Sequence, residues 1–304
     1  MDTGPGLIER AAALLREKGS RTEPRRFEAK PRPVEPASPP VSEGAELLKP
    51  LTRTCILDHV ALGEAGLVMP WLISSRVVEE FRIVKHQLIT TWKRIGHALP
   101  SGGSPHTVMV TSAKPREGKT FCSLNLALTF AAEENLTVIL IDADPIRASV
   151  GKYLKIPAVP GLTTVLSGEA SLSDALIQTD VANLLVLPSG EPGPHVAELL
   201  TGGGAGRVLA ELARRYPEHA IVIDTPPVLA STTPAGLSPI VAQIVFVLEA
   251  GHTQRAEIEA GVNLLSGCQH ISFLLNKALR SSGHFGSYSY YGKPDDASVQ
   301  VMTD

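Results

Sequence analysis

Residues 107–147 constrain this chain more than any other stretch. They read as an apolar strand (107–110), a loop closing on Gly118-Lys119-Thr120, an apolar helical run, and a second apolar strand (137–141) that delivers Asp142-Ala143-Asp144. A strand that breaks into a glycine-bearing loop and re-forms as a helix presents unpaired backbone N–H groups and the positive end of the helix dipole at one point. That point favours a polyphosphate. In the loop V-T-S-A-K-P-R-E-G-K-T, Lys119 would reach the β- and γ-phosphates and the Thr120 hydroxyl would ligate Mg²⁺. Ala113 stands where G-x-x-x-x-G-K-[ST] has its first glycine, so the loop is a relaxed version of that pattern. A chance G-K-T after a strand is common, and it is the second strand ending in D-A-D that argues against chance.

The rest of the chain repeats this alternation. Apolar runs at 184–187, 220–223, 244–248 and 271–275 read as buried strands, with apolar helical runs between most of them. The expectation is an α/β fold with a doubly wound, mostly parallel sheet. The 304 residues suffice for one large α/β domain plus tails, and 43% hydrophobic against 19% charged residues suits a globular core. A net charge of −3 gives no general reason to expect nucleic acid. Cys55, Cys122 and Cys268 share no metal or redox spacing and are expected reduced and buried, as in a cytosolic protein. Glu64 and Pro70 interrupt the most apolar window, 60–73, so no direct membrane span is expected and a membrane role would run through a partner.

Outside the strands, 7–17 has helical spacing and reads as a docking helix or a frayed solvent helix. Seven prolines between Pro24 and Pro50 mark 21–50 as a linker. Residues 77–92 form an amphipathic helix with Val78, Phe81, Val84, Leu88 and Trp92 on one side. Glu79, Arg82 and Lys85 share the other side, as a solvated face or a subunit contact. The 220–223 strand delivers Asp224, which reads as a metal-holding Walker B carboxylate or as a helix cap. Asn276 would read a base edge or cap the next turn. Tyr288, Tyr290 and Tyr291 sit in a Gly/Ser-rich tail, 281–304, with no helical or strand period. They are either a sticky aromatic tail or phosphate acceptors.

Together these motifs resemble the bacterial tyrosine autokinases (BY-kinases) of exopolysaccharide synthesis, with most similarity to the soluble subtype that accompanies exosortase systems. The likeness rests on the loop above, on I-L-I-D-A-D-P-I-R and V-I-D-T-P-P, and on the 77–88 helix. It extends to P-G-L-T-T-V-L-S-G, the A-E-L-L of 197–200 and the tyrosine tail. It implies a P-loop NTPase fold of the SIMIBI/MinD-like type with disordered N- and C-terminal segments. The parts are a short helix (1–20), a linker (21–50), a kinase domain (51–280) with its oligomerisation helix at about 77–92, and a flexible tail. The resemblance implies ATP and Mg²⁺ as cofactors, with Lys114, Pro115, Glu117, Gly118, Lys119, Thr120, Phe121 and Asn276 around the nucleotide. Thr120, Asp142 and Asp224 would hold the metal. Lys119, Asp142, Asp144 and Arg147 would be catalytic, with Asp144 ahead of Asp142 as the group that takes the tyrosine proton. Tyr288, Tyr290 and Tyr291 would accept phosphate in trans. Glu79, Arg82 and Lys85 match an E-x-x-R-x-x-R oligomerisation motif whose last arginine is here a lysine, which lacks planar bidentate pairing. Implied partners are further copies of the chain in a ring, a Wzz-type membrane chain-length determinant as activator, and a tyrosine phosphatase. The implied location is cytoplasmic, recruited to the inner membrane through a partner.

Two departures bear on nucleotide affinity: Ala113, and Arg116 where the family usually has glycine. Both reduce backbone freedom and are expected to weaken binding. Lys114 stands where ParA/MinD-like ATPases carry their signature lysine, which makes an ATPase switch the runner-up. A nucleotide-binding chain-length regulator with little kinase activity is the third reading.

Overall fold

The computed structural model describes residues 51–278, except 52, 70–75, 97–104, 135, 157–159, 194–195, 202 and 217–218. The helix expected at 7–17, the linker at 21–50 and the tyrosines of the tail lie outside the described residues. An eight-stranded sheet forms the centre. Its strands in chain order are β1 (Thr54–Cys55), β2 (Thr107–Ser112), β3 (Val138–Asp142), β4 (Ile177–Thr179), β5 (Leu184–Leu187), β6 (Ala220–Asp224), β7 (Gln243–Glu249) and β8 (Ile271–Asn276). They lie side by side in the order β1-β4-β5-β3-β6-β2-β7-β8. β5, β3, β6, β2, β7 and β8 are mutually parallel, and β4 pairs antiparallel with β5. The expected α/β class and mostly parallel sheet are what the chain forms.

The sheet is doubly wound because its central strands are apolar on both sides. Successive side chains of a strand face opposite ways, and the two hydrophobic clusters divide them accordingly. Val108, Val110, Val138, Leu140, Val222 and Val245 enter one cluster, while Met109, Ile139, Ile141, Ile221, Ile223 and Phe246 enter the other. The helices in chain order are α1 (His59–Glu64), α2 (Arg76–Ile95), α3 (Lys119–Ala131), α4 (Ser149–Leu154), α5 (Leu162–Leu166), α6 (Leu172–Ala175), α7 (Val196–Thr201), α8 (Gly204–Arg215), α9 (Thr233–Leu237) and α10 (Arg255–Leu264). The first cluster is closed by α2, α3 and α4, and the second by α5, α6, α7, α8 and α9.

The helix α3 is buried nearly all round because the sheet covers one side and α2 the other. On α2, Val78, Phe81, Leu88 and Trp92 are buried. Trp92 stacks on Phe130 of α3 with ring centroids 5.0 Å apart. The Gln243 side-chain amide donates to the Leu88 carbonyl at 3.1 Å, which ties α2 to the sheet. Asn125 of α3 accepts from Val68 N–H at 2.6 Å, fastening the buried Leu67-Val68-Met69 segment beneath it.

Of the cysteines, Cys122 and Cys268 are buried as expected, but Cys55 is only half-buried. It lies on the two-residue strand β1, at the edge of the sheet among the described residues. No described helix is long and apolar enough to cross a membrane.

Candidate active site

The order β3-β6-β2 puts three strand ends side by side, at the carboxyl edge where open α/β sheets take ligands. Val110 of β2 is in register with Asp224, and Asp142 of β3 is in register with Asp224 from the other side. The phosphate-type loop leaves β2, D-A-D ends β3, and Asp224 ends β6. Three motifs far apart in sequence thus meet because their strands are neighbours.

Gly118 caps α3 at φ +94°, and only glycine fits there. A Cβ would stand 2.0 Å from the Asn276 amide nitrogen in addition to the left-handed strain. Behind it, Lys119 and Thr120 are buried at the helix start. The Thr120 hydroxyl donates to Asp224 Oδ2 at 2.7 Å, and the Ser123 hydroxyl donates to Asp224 Oδ1 at 2.9 Å. Asp142 accepts from Asp144 N–H at 3.0 Å on one oxygen and from Val150 N–H at 3.1 Å on the other. Asp144 differs from it. Its Oδ1 accepts from Arg147 N–H at 3.3 Å, whereas its buried Oδ2 accepts no hydrogen bond among the described residues and lies 3.7 Å from Lys119 Nζ.

Electrostatics follows from this crowding. Burial, and then the neighbouring Asp224, push the Asp142 carboxyl up to about 7. Burial pushes Asp224 up to about 6, against the opposing pull of Lys119 and the two hydroxyl donors. Two adjacent buried carboxylates that resist ionisation are what a hard divalent cation relieves, and with the Thr120 hydroxyl they form an all-oxygen donor set that suits Mg²⁺. The donor chemistry therefore fits the cation.

In front of these groups lies a cavity of about 510 Å³. Gly118, Lys119, Thr120, Phe121, Arg147 and Asn276 line it, together with Arg116, Ser149, Tyr153 and Lys277. Lys114, Pro115 and Glu117 do not. The Lys114 ammonium pairs with Glu257 of α10 at 2.8 Å, and that partner holds its pKa above the usual lysine value. Glu117 is buried and turned away from the cavity. It accepts from Lys114 N–H at 2.7 Å and from the Thr253 hydroxyl. Asn276 donates its side-chain amide to the Glu117 carbonyl at 2.9 Å, and Lys277 Nζ donates to the Arg116 carbonyl at 2.7 Å while pairing with Glu249 at 3.2 Å. The loop is thus braced from outside by the β7–α10 corner and the end of β8.

That bracing answers a question of strain. Arg116 holds φ +72°, a left-handed conformation that costs a non-glycine residue on the order of 1 kcal/mol or more. Ala113 is fully buried against the second hydrophobic cluster. Ser123, Thr253, Glu249, Glu257 and Lys277 were not singled out from sequence. Ser123 was within reach, one turn after Thr120 on the same helix face. The others lie 130 or more residues from the loop, with no pattern to connect them.

The expected subunit-contact triad is divided. Arg82 pairs with Glu79 at 2.5 Å on the exposed face of α2, whereas Lys85 turns to Glu133 just beyond the end of α3.

No protein-family model matches the sequence. Among curated proteins, the chain is 33% identical over 199 residues to tyrosine-protein kinase CpsD of Streptococcus agalactiae, covering 64% of this chain and 85% of that protein. It is 32% identical over 192 residues to tyrosine-protein kinase YwqD of Bacillus subtilis, covering 62% and 79%. Among solved structures, the kinase domain of the Escherichia coli tyrosine kinase ETK superposes with a TM-score of 0.60 over 76% of this chain and 97% of that one. At 24% identity that likeness speaks for the fold. With these likenesses, the chain belongs to the family of bacterial tyrosine-protein kinases.

Proposed function

We propose that the chain is an ATP·Mg²⁺-dependent protein-tyrosine autokinase of exopolysaccharide synthesis, of the exosortase-associated subtype, with Tyr288, Tyr290 and Tyr291 as its acceptors. The observation that carries the catalytic part is the contrast between the two aspartates of β3. Both Asp142 oxygens are engaged by backbone N–H groups, while Asp144 keeps one buried oxygen without a hydrogen bond, beside Lys119. In this reading Asp144 Oδ2 takes the proton of the incoming tyrosine hydroxyl, which must shed it as its oxygen attacks phosphorus. Asp142 and Asp224, with Thr120, hold the cation, and Mg²⁺ when bound supplies charge neutralisation on the phosphate oxygens. Lys119 leaves Asp144 for the phosphates as nucleotide enters, which frees the carboxylate for the acceptor. Arg147, exposed at the cavity, stabilises the transferred phosphoryl group; arginines in that role contribute roughly 10³–10⁵ in rate.

Phosphorylation in trans fits a tail that begins close to the end of β8. Three phosphates at about −1.5 to −2 charge each would repel and loosen an assembly of subunits. Glu79 and Arg82 would contribute to that assembly, and Lys85 less so, since Glu133 already engages it. A Wzz-type membrane protein as activator, an opposing phosphatase and a cytoplasmic site at the inner membrane complete the proposal. Division of the chain into a kinase domain at 51–280 with flanking helix, linker and tail belongs to it as well.

The test is incubation of purified protein with Mg²⁺·ATP, alone and with the activator's cytosolic segment, followed by phosphotyrosine detection. Wild type should label, Lys119→Met should not, and the triple Tyr288/Tyr290/Tyr291→Phe variant should lose most signal. Wild type that stays unlabelled under both conditions would sink the kinase reading. Undiminished label in the triple variant would reject the tail as acceptor.

A further inference from the structure

We propose that Arg116 is a phosphate-binding residue, placed by a braced, strained turn to grip the phosphate chain of the nucleotide. The sequence alone suggests the opposite, that an arginine at a glycine position weakens the loop. Three observations reverse that expectation.

The backbone of Arg116 is in the left-handed region, φ +72°, which glycine adopts freely and arginine does not. Such an outlier persists only where its surroundings over-determine it, and they do here. Lys277 Nζ holds the Arg116 carbonyl at 2.7 Å, the Asn276 amide holds the Glu117 carbonyl at 2.9 Å, and the Glu117 carboxylate accepts from Lys114 N–H at 2.7 Å. A turn fastened on both sides of a strained residue fixes the point from which its side chain departs.

That point lies at the cavity. Arg116 lines it together with Lys119 and Arg147. Of the two lysines that also line it, Lys277 pairs with Glu249 at 3.2 Å and Lys119 rests 3.7 Å from Asp144. Among the described residues, no carboxylate pairs with the Arg116 guanidinium. An exposed, uncommitted guanidinium, with five donors in a planar fork, stands two residues before the glycine that opens the phosphate-binding helix. Phosphate oxygens are the ligand that geometry suits. The inference rests on the nucleotide reading above and adds to it a contact that the loop motif itself does not contain.

Substitution by glycine separates charge from strain, because it removes the guanidinium while relieving the backbone. Equilibrium binding of ATP, ADP and AMP to wild type, Arg116→Gly and Arg116→Lys, with apo thermal denaturation of each, gives the test. Arg116→Gly should have an unchanged or raised Tm, yet bind ATP and ADP about tenfold more weakly, with AMP changed by less than about twofold. Arg116→Lys should recover part of the loss, and added salt should narrow the gap between wild type and the glycine variant. Arg116→Gly that binds ATP as tightly as wild type, or tighter, overturns the inference and leaves the nucleotide site intact. Equal weakening for ATP and AMP overturns it too, since that reports a distorted loop. Wild type that binds no ATP at all overturns both this inference and the function on which it rests.

Discussion

Asp142 and Asp224 should make the protein lose stability as pH rises through neutrality, and Asp142→Asn should remove most of that loss. Both carboxyls have folded-state pKa values above the ordinary aspartate value of 3.8, at about 7 and about 6. A group raised on folding binds its proton more tightly in the native state. Its stabilising contribution is therefore full below pH 3.8 and is lost as pH climbs through the folded value. At about 1.4 kcal/mol per pKa unit, raising pH from about 5 to about 8 costs on the order of 4 kcal/mol for the pair taken together, with the larger share at Asp142. The asparagine variant loses the Asp142 contribution outright and keeps that of Asp224, whose pKa is raised by its own burial. Urea denaturation of the metal-free protein at several pH values across that window measures both profiles. The carboxylates with lowered pKa values, Asp58, Asp180 and Glu257, titrate below it and do not interfere. Adding Mg²⁺·ADP should stabilise wild type more at the alkaline end than at the acid end, since the cation is attracted to the ionised pair. Parallel pH profiles for wild type and Asp142→Asn would refute the claim that these two carboxylates share one buried electrostatic site.

Asp144→Asn should lower kcat for tyrosine phosphorylation by about 10²-fold or more while leaving nucleotide affinity within a few-fold, measured by steady-state kinetics alongside equilibrium binding. Gly118→Ala should abolish tight nucleotide binding, because its methyl would meet the Asn276 amide at 2.0 Å on a backbone already at φ +94°; calorimetric titration with ADP checks this. Trp92→Ala should cost about 3–5 kcal/mol in urea denaturation by removing the stack on Phe130 and opening the α2–α3 contact.

Much of the sheet was legible because its strands are apolar on both faces and long enough to stand out. The six runs expected as strands all appear, with ends shifted by two residues or fewer. β1 and β4 were not, and the reason is length: strands of two and three residues carry too little pattern, and pairing with a neighbour decides their existence. The helix α2 was read from its apolar stripe, and the four buried residues of that stripe confirm its orientation. Its polar side was read as one unit, yet Lys85 leaves it for Glu133 because the end of α3 lies alongside.

Sequence alone determined the local devices: a glycine closing the loop before a helix, a lysine and threonine at that helix start, and aspartates at the ends of apolar strands. Each follows from backbone sterics and from which residues can be buried, and neither needs knowledge of the neighbours. Tertiary structure decided which devices act together. Strand order buried Asp142 beside Asp224, and that burial raised both their pKa values, with Asp224 adding to the rise at Asp142. The same order left one Asp144 oxygen facing Lys119 and closed the β7–α10 corner on the loop. That packing sent Lys114 and Glu117 away from the cavity and kept Arg116 at its edge, in a conformation its own side chain disfavours. Such outcomes depend on contacts between residues 25 to 143 positions apart, and no local pattern carries them.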